Sequence, residues 1–251
     1  MKTVTVGNVT IGAGLPKIIV PMVGKNKKEL LTEAKLIQTL DCDLVEWRID
    51  FFEQVQDAQA VAAFSHTLKT LLEKPLLITF RTKKEGGVHE LSDNDYFALY
   101  QTILTEGALD LLDVELFMPE KQVAETVALA HQNAVQIIMC NHDFDQTPEK
   151  NEIVTRLQAM QNKGADICKI AVMPQSSADV LTLLEATREM HEEHAEVPLI
   201  TMSMGALGMI SRVSGQLFGS AATFGSAATA SAPGQVPVAE LRKMLTTLQL
   251  T

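Results

Sequence analysis

Short apolar runs recur along the chain at a nearly regular interval. They are KIIVPMVG (17–24), LVEWRI (44–49), PLLITFR (75–81), LLDVEL (111–116), VQIIMCN (135–141), DICKIAV (166–172), PLITMSM (198–204) and SAATFG (220–225). Each has the length of a buried strand, and most have its β-branched content. SAATFG is the weakest, because Ser, Ala and Gly are poor strand formers. The segments between them carry apolar residues at three- and four-residue spacing, as in AVAAFSHTLKTLLEK and VAELRKMLTTLQL. Local signals punctuate these helices. Ser92 followed by Asp95, and Ser176 followed by Asp179, read as capping boxes. Thr147 and Pro148 suit a helix start, and Gly164 a helix end just before the sixth run. Ahead of the first run, KTVTVG and VTIGAG joined through Gly7-Asn8 read as a hairpin. Eight strands alternating with eight helices over this length is the rhythm of a (β/α)8 TIM barrel with a short N-terminal β-hairpin. An open doubly wound sheet is the rival arrangement. Residues 1–251 read as a single barrel domain, with no linker or low-complexity tail.

Composition narrows the picture. The 251 residues are 46% hydrophobic, so a packed core is expected, and the formal net charge is −10. Such a surface repels nucleic acid and anionic membrane, and neither is expected as a partner. A local cluster of arginines can still reverse the field inside a cleft. Cys42, Cys140 and Cys168 each sit in an apolar run at spacings that match no zinc motif, and read as buried free thiols of a reducing cytosol. No metal is expected. The sequence has no Walker motif and no G-x-G-x-x-G after a strand, so a nucleotide cofactor has no support. The start lacks the apolar core of a signal peptide, and no stretch has membrane-spanning character. A soluble cytoplasmic protein is the expectation.

Catalytic groups of such a barrel belong at the C-terminal ends of its strands. Glu46, Arg48 and Asp50 alternate with Trp47 and Ile49, which puts three charges on one side of a core strand. They read either as a salt-bridge network holding the barrel mouth or as a polar pocket wall. Arg81 ends the third run, and Glu85 lies just before the Gly86-Gly87 turn. His142 follows the fifth run directly, and histidine is the side chain whose ordinary pKa suits proton transfer near neutrality. Lys169 stands in the middle of an apolar strand. It either snorkels outward between helices or is an amine wanted where water is scarce. Arg212 lies in ISRVSG, and Ser231, Gly234 and Gln235 in the loop after the last strand. FGSAATFGSAATA carries FGSAAT twice and reads as a Gly/Ser-rich region whose backbone N–H groups suit an anion or carboxylate.

Several of these blocks together resemble one family. PKIIVPMVG, DLVEWRID, PLLITFRTKKEGG, NHDFDQTP, ADICKIAVMP, TMSMGALGMISRVSG and ATFGSAATASAPGQ occur in order from residue 16 to 235. They are similar to the type I 3-dehydroquinate dehydratases of the shikimate pathway. The resemblance implies dehydration of 3-dehydroquinate to 3-dehydroshikimate, the third step of chorismate biosynthesis, through a lysine Schiff base. It implies Lys169 as the imine-forming lysine, His142 as general acid/base, and Glu85 as the glutamate that orients His142. It implies that Glu46 and Arg48 line the hydroxyl and carbonyl side of the pocket, that Arg81 closes on substrate hydroxyls, that Arg212 holds the substrate carboxylate, and that Ser231 and Gln235 belong to a closing loop. It also implies a homodimer that needs no metal or organic cofactor. Val20 departs from the family, where a serine or cysteine commonly precedes the first strand's proline.

The chemistry asks two things of these residues. An ordinary lysine is only about one part in a few thousand neutral at pH 7, so Lys169 is expected among groups that favour the neutral amine, with His142, Arg48 and Arg212 as candidate cations. Glu85 is expected to fix the tautomer of His142 and favour its charged form. Two rival readings fit the same residues. A class I aldolase would use the same strand-borne lysine to break a C–C bond. A non-enzymatic barrel would lack one of Lys169, His142 and Glu85, and this chain has all three.

Overall fold

The computed structural model describes residues 2–227 and 234–249. Strands β1 (Val4–Val6) and β2 (Val9–Ile11) form the expected antiparallel hairpin, turning at Gly7, whose φ of +58° suits a residue without Cβ. The alternation then begins with β3 (Lys17–Met22), α1 (Lys27–Gln38), β4 (Leu44–Arg48), α2 (Ala58–Leu72), β5 (Leu76–Thr79) and α3 (Asp93–Glu106). It continues with β6 (Leu111–Glu115), α4 (Glu120–Gln132), β7 (Gln136–Asp143), α5 (Lys150–Asn162), β8 (Ile167–Val172) and α6 (Ser177–Glu189). The last elements are β9 (Leu199–Ser203), α7 (Met209–Ser214), β10 (Ala222–Ser226), β11 (Val236–Pro237) and α8 (Val238–Thr247).

Strands β3 to β10 pair in parallel in chain order, and β10 returns to β3. The ring closes between β9 and the approach to β10, where Ser220 bridges Leu199 and the Ala221 N–H donates to the Leu199 carbonyl at 2.7 Å. This is a (β/α)8 barrel, and the open-sheet rival fails at that closure.

Two apolar clusters show how each strand divides its side chains. The larger lies between barrel and helices and takes Val45, Trp47, Ile137, Met139, Cys168, Ile170 and Val172. The smaller fills the barrel's N-terminal half with Ile19, Leu44, Leu77, Leu111, Ile138, Ile167, Ile200 and Ala222. Val6 and Ile11 of the hairpin belong to this inner cluster, so the hairpin plugs the barrel floor.

Most local signals hold. Ser176 and Asp179 form a reciprocal capping box, Ser92 caps α3, and Gly164 follows α5 at φ +86°. Thr147 does not cap α5. That helix starts at Lys150 after Glu149 with no side-chain cap, and the Thr147 hydroxyl donates instead to the Met173 carbonyl across the neighbouring loop. The two FGSAAT copies also part ways. The first runs from a turn at Gly219 (φ +102°) into β10, whereas the second begins inside β10 and continues beyond the described residues. Residues 222–224 pair with β3, so this part of the segment is sheet and not an anion cradle.

Candidate active site

Inner positions spaced by two carry each strand from apolar to chemical. Leu44 is followed by Glu46 and Arg48, Leu77 by Thr79 and Arg81, and Leu111 by Asp113 and Glu115. Ile138 is followed by Cys140 and His142, and Ile167 by Lys169 and Ala171. The result is a cleft at the strands' C-terminal end, with about 600 Å³ of space open to solvent. Glu46, Arg48, Arg81, Glu85, His142, Lys169, Arg212 and Gln235 all line it. Eight of the nine residues to which the family resemblance gives a role thus share one cavity. The ninth, Ser231, lies outside the described residues.

Lys169 points inward and is 3% exposed, which removes the snorkelling alternative. Its Nζ lies 3.3 Å from Asp113 Oδ2, 3.9 Å from Glu46 Oε1 and 4.6 Å from the centre of the Phe224 ring. The expectation of neighbouring cations is therefore corrected: its nearest charged partners are carboxylates. The reason is the strand order, which puts β6 and β4 carboxylates at the level of Lys169 and raises Arg48 and Arg81 one layer higher.

Asp113 is fully buried and also binds Arg81 Nη2 at 2.7 Å and the Cys140 thiol at 3.0 Å. Burial works against its charge, but Arg81 and then Lys169 outweigh it and hold the carboxyl below the usual range. Arg81 is engaged on both terminal nitrogens, with Nη1 2.9 Å from Glu115 Oε1 and 3.0 Å from Cys140 Sγ. Burial would favour its neutral form, yet Asp113 and the other acids around it raise it well above the ordinary arginine value. Arg48 makes a bidentate pair with Asp50 at 2.8 and 2.9 Å. Thr79 donates to Glu46 at 2.9 Å.

Glu85 reaches His142 twice. Its Oε2 lies 2.9 Å from the His142 backbone N and 2.9 Å from Nδ1, which leaves Nε2 for the cleft. Burial and then Glu115 push the Glu85 carboxyl up to about 8. Burial, Arg81, Lys169 and Arg48 hold His142 well below its ordinary value. The expected charged imidazole is thus corrected. Burial and three cations disfavour the imidazolium, and Glu85, itself pushed toward its protonated form, does not offset them.

Arg212 comes from α7, is 2% exposed, and sets Nη1 3.6 Å from Met202 Sδ. Burial pulls its guanidinium down to about 10. Met202, Met204, Phe224 and Ala171 complete an apolar wall opposite the acids. At Gly234 (φ +78°), a Cβ would stand 2.4 Å from the Gly205 carbonyl oxygen. Only glycine lets these two stretches of backbone meet so closely beside Gln235.

Asp113, Glu115 and Phe224 were not singled out from sequence. LLDVEL carries its two acids at alternate positions in an apolar strand, the same signal that drew attention to Glu46 and Arg48. Among the described residues, Glu85, Cys140 and His142 place one ligand atom each within 4.8 Å of one another. They do not read as a metal centre. Glu85 and His142 bind each other, and burial keeps the Cys140 thiol protonated and bound to Asp113, whereas metals take the thiolate.

A family model described as type I 3-dehydroquinase matches residues 18–251. A 3-dehydroquinate dehydratase of Enterococcus faecalis is 56% identical over 99% of this chain and 99% of its own length. One from Listeria monocytogenes is 54% identical over 98% and 97%. Among solved structures, type I 3-dehydroquinate dehydratase from Clostridium difficile, described with covalently modified comenic acid, has a TM-score of 0.95 at 49% identity, covering 99% of this chain and 98% of that one.

Proposed function

The chain belongs to the type I 3-dehydroquinase family, a dehydratase of the shikimate pathway, and from that premise we propose that it works through an imine on Lys169 with Glu85 and His142 as a paired acid/base. The observation that carries this reading is the inward, almost fully buried Lys169 sharing a cleft with His142, whose ring is held by Glu85 at 2.9 Å.

The neutral Nζ attacks the substrate ketone, and with a proton from the Glu85–His142 pair that oxygen leaves as water, giving a protonated imine; hydrolysis at the end returns that proton to the pair. Asp113 and Glu46 lie where they balance its charge. His142 Nε2 then takes a proton from the carbon beside the imine, and the electron pair moves into an enamine. The enamine expels the hydroxyl from the next carbon, which leaves as water with the proton from His142. A second water hydrolyses the imine, frees Lys169 and returns the ketone, so the net change is loss of one water. The pair suits both proton steps. With a proton on Nδ1 only, Nε2 accepts; with Glu85 protonated against Nδ1, Nε2 carries hydrogen and donates.

Arg212 binds the substrate carboxylate, with two parallel hydrogen bonds that a lysine cannot match. Glu46 and Arg48 face the hydroxyl and carbonyl side, and Ser231 and Gln235 belong to the loop that closes over the ring. Arg81 lines the wall and acts chiefly by holding Asp113, Glu115 and Cys140, since those groups occupy both its terminal nitrogens. The relative described with covalently modified comenic acid supports a covalent step. A cytoplasmic homodimer completes the proposal; no helix among the described residues is long and apolar enough to cross a membrane.

The test is an absorbance assay for the conjugated enone formed from 3-dehydroquinate, run beside a retro-aldol assay. Enone without C–C cleavage is the expected result. Cleavage products in place of the enone would turn the reading to an aldolase.

A further inference from the structure

Asn141 lies between Cys140 and His142 on β7, and Arg156 stands on α5 behind it. Neither lines the cleft. Arg156 Nη1 donates to Asn141 Oδ1 at 2.8 Å, and Asn141 Nδ2 donates to Glu85 Oε1 at 3.1 Å. Arginine has donors only. The Asn141 carbonyl must therefore face Arg156, and its NH2 must face Glu85. This orientation follows from donor chemistry, not from telling nitrogen from oxygen in the amide. Asn141 is 4% exposed, so water does not compete freely for either end.

The consequence reaches His142. Glu85 Oε1 accepts from Asn141, and Oε2 accepts from the His142 backbone N–H at 2.9 Å. Two fixed donors favour the carboxylate form of Glu85, against burial and Glu115, which favour its protonated form. A carboxylate at Oε2 in turn wants the proton on Nδ1. We propose that Arg156 and Asn141 are positioning residues that favour the Glu85 carboxylate and so set the direction of the Glu85–His142 hydrogen bond: once the pair gives up its extra proton, Nδ1 bears the remaining one and Nε2 accepts. The acid/base role of His142 rests on the function proposed above; the hydrogen-bond direction does not.

Other charges face the pair from every side. They are Arg81 beyond β5, Glu115 on β6, Cys140 on β7, Lys169 on β8 and Arg48 on β4. Asp143 Oδ2 lies 3.8 Å from Arg156 Nη1, and Glu152 also pairs with that arginine. Asp143 and Glu152 lose a partner when Arg156 becomes Met and keep a cation when it becomes Lys, so the Lys variant controls for them. If Arg156 loses its donors, Asn141 is free to turn its carbonyl toward Oε1. Two acceptors about 3 Å apart repel unless Glu85 takes up a proton.

The experiment is nitrogen NMR of isotopically labelled histidine in the full chain, followed from neutral to alkaline pH, with kcat and KM measured alongside. His142→Ala identifies the His142 signals. The variants are Arg156→Met, Arg156→Lys and Asn141→Asp. In Arg156→Met the pair should lose its proton about one pH unit higher than in the unchanged protein. Between the two titration points kcat should fall by up to about tenfold, while KM stays within about threefold. Arg156→Lys keeps a donor-only partner and should follow the unchanged protein. Asn141→Asp sets a second carboxylate against Glu85 and should move the pair further in the same direction. The Arg156 side chain is partly exposed on α5, so its variants test the idea even if Asn141→Asp fails to fold. An Arg156→Met titration that superposes on the unchanged protein overturns the inference, as does a rise in KM with kcat untouched. If the nitrogen signals shift as expected but 3-dehydroquinate is not dehydrated, the proposed function fails and the positioning stands. Turnover with no shift is the reverse.

Discussion

The two ends of the barrel are built from the same strands and behave as different materials. At the N-terminal end, Leu44, Leu77, Leu111, Ile138 and Ile167 pack on one another and on Val6 and Ile11 of the hairpin, with no charge among them. Two residues further along each strand, the same inward direction carries Glu46, Thr79, Asp113, Cys140 and Lys169. Period two makes this possible: one register fills the floor and arms the mouth. The floor is held by area removed from water, which tolerates no voids but asks for no particular partner. The mouth is held by ion pairs in which each charge needs its partner, because an unpaired buried charge costs several kcal/mol. The floor should therefore answer to mutation in stability alone, and the mouth in chemistry first, with a stability cost wherever a charge is left unpaired.

The sharpest break in that comparison is Lys169→Ala. Turnover should vanish, with the fold kept, in an enone assay and a melting curve run on one preparation. Activity near that of the unchanged protein would remove Lys169 from the mechanism. Next comes His142→Ala, which should lose about 10²–10⁴-fold in kcat while still forming the imine; loss of the imine itself would show that His142 acts earlier. Arg212→Leu should raise KM by about 10–100-fold, the worth of hydrogen bonds to a charged carboxylate, with a smaller change in kcat. On the floor, Ile11→Ala should cost about 2–5 kcal/mol of stability and leave kcat per folded molecule unchanged. A catalytic defect there at full folding would break the division of labour.

The smallest effect is a pH slope. Glu85 keeps its proton to about 8 in the folded protein, against 4.5 for an ordinary glutamate. Between those values the folded state binds more protons than the unfolded one, so this group's stabilisation is lost as pH rises. His142 works in the opposite sense below its ordinary 6.5, where the unfolded state binds more protons. From about 6.5 to 8 the Glu85 contribution acts alone within the pair, and stability should decline across that window. Glu85→Gln should flatten the decline in melting curves taken at several pH values; an unchanged slope would assign it elsewhere.

Most of the fold was legible because strand alternation and helical period are properties of the chain itself. Even weak SAATFG took its place once seven stronger runs defined the ring. Lys169, His142 and Glu85 were legible because each is a chemical residue in an unusual setting, and the family resemblance supplied their roles. What sequence does not carry is which side chains meet across strands. Asp113 and Glu115 stood in plain view in LLDVEL, but their partners Arg81 and Lys169 are set by barrel order. The same gap put cations beside Lys169 in expectation and carboxylates there in the structure. It also charged His142 on account of one carboxylate, when three cations and burial decide the matter. Thr147 was misread as a cap because a carbonyl on a neighbouring loop, at Met173, takes its hydroxyl.

The central claim is that the buried amine of Lys169 is the nucleophile. Borohydride added to the protein with 3-dehydroquinate, followed by peptide mass mapping, tests it most directly. The account predicts a reduced adduct on Lys169 and none in Lys169→Ala. Turnover of 3-dehydroquinate with no trapped adduct, or an adduct on another lysine, would contradict it.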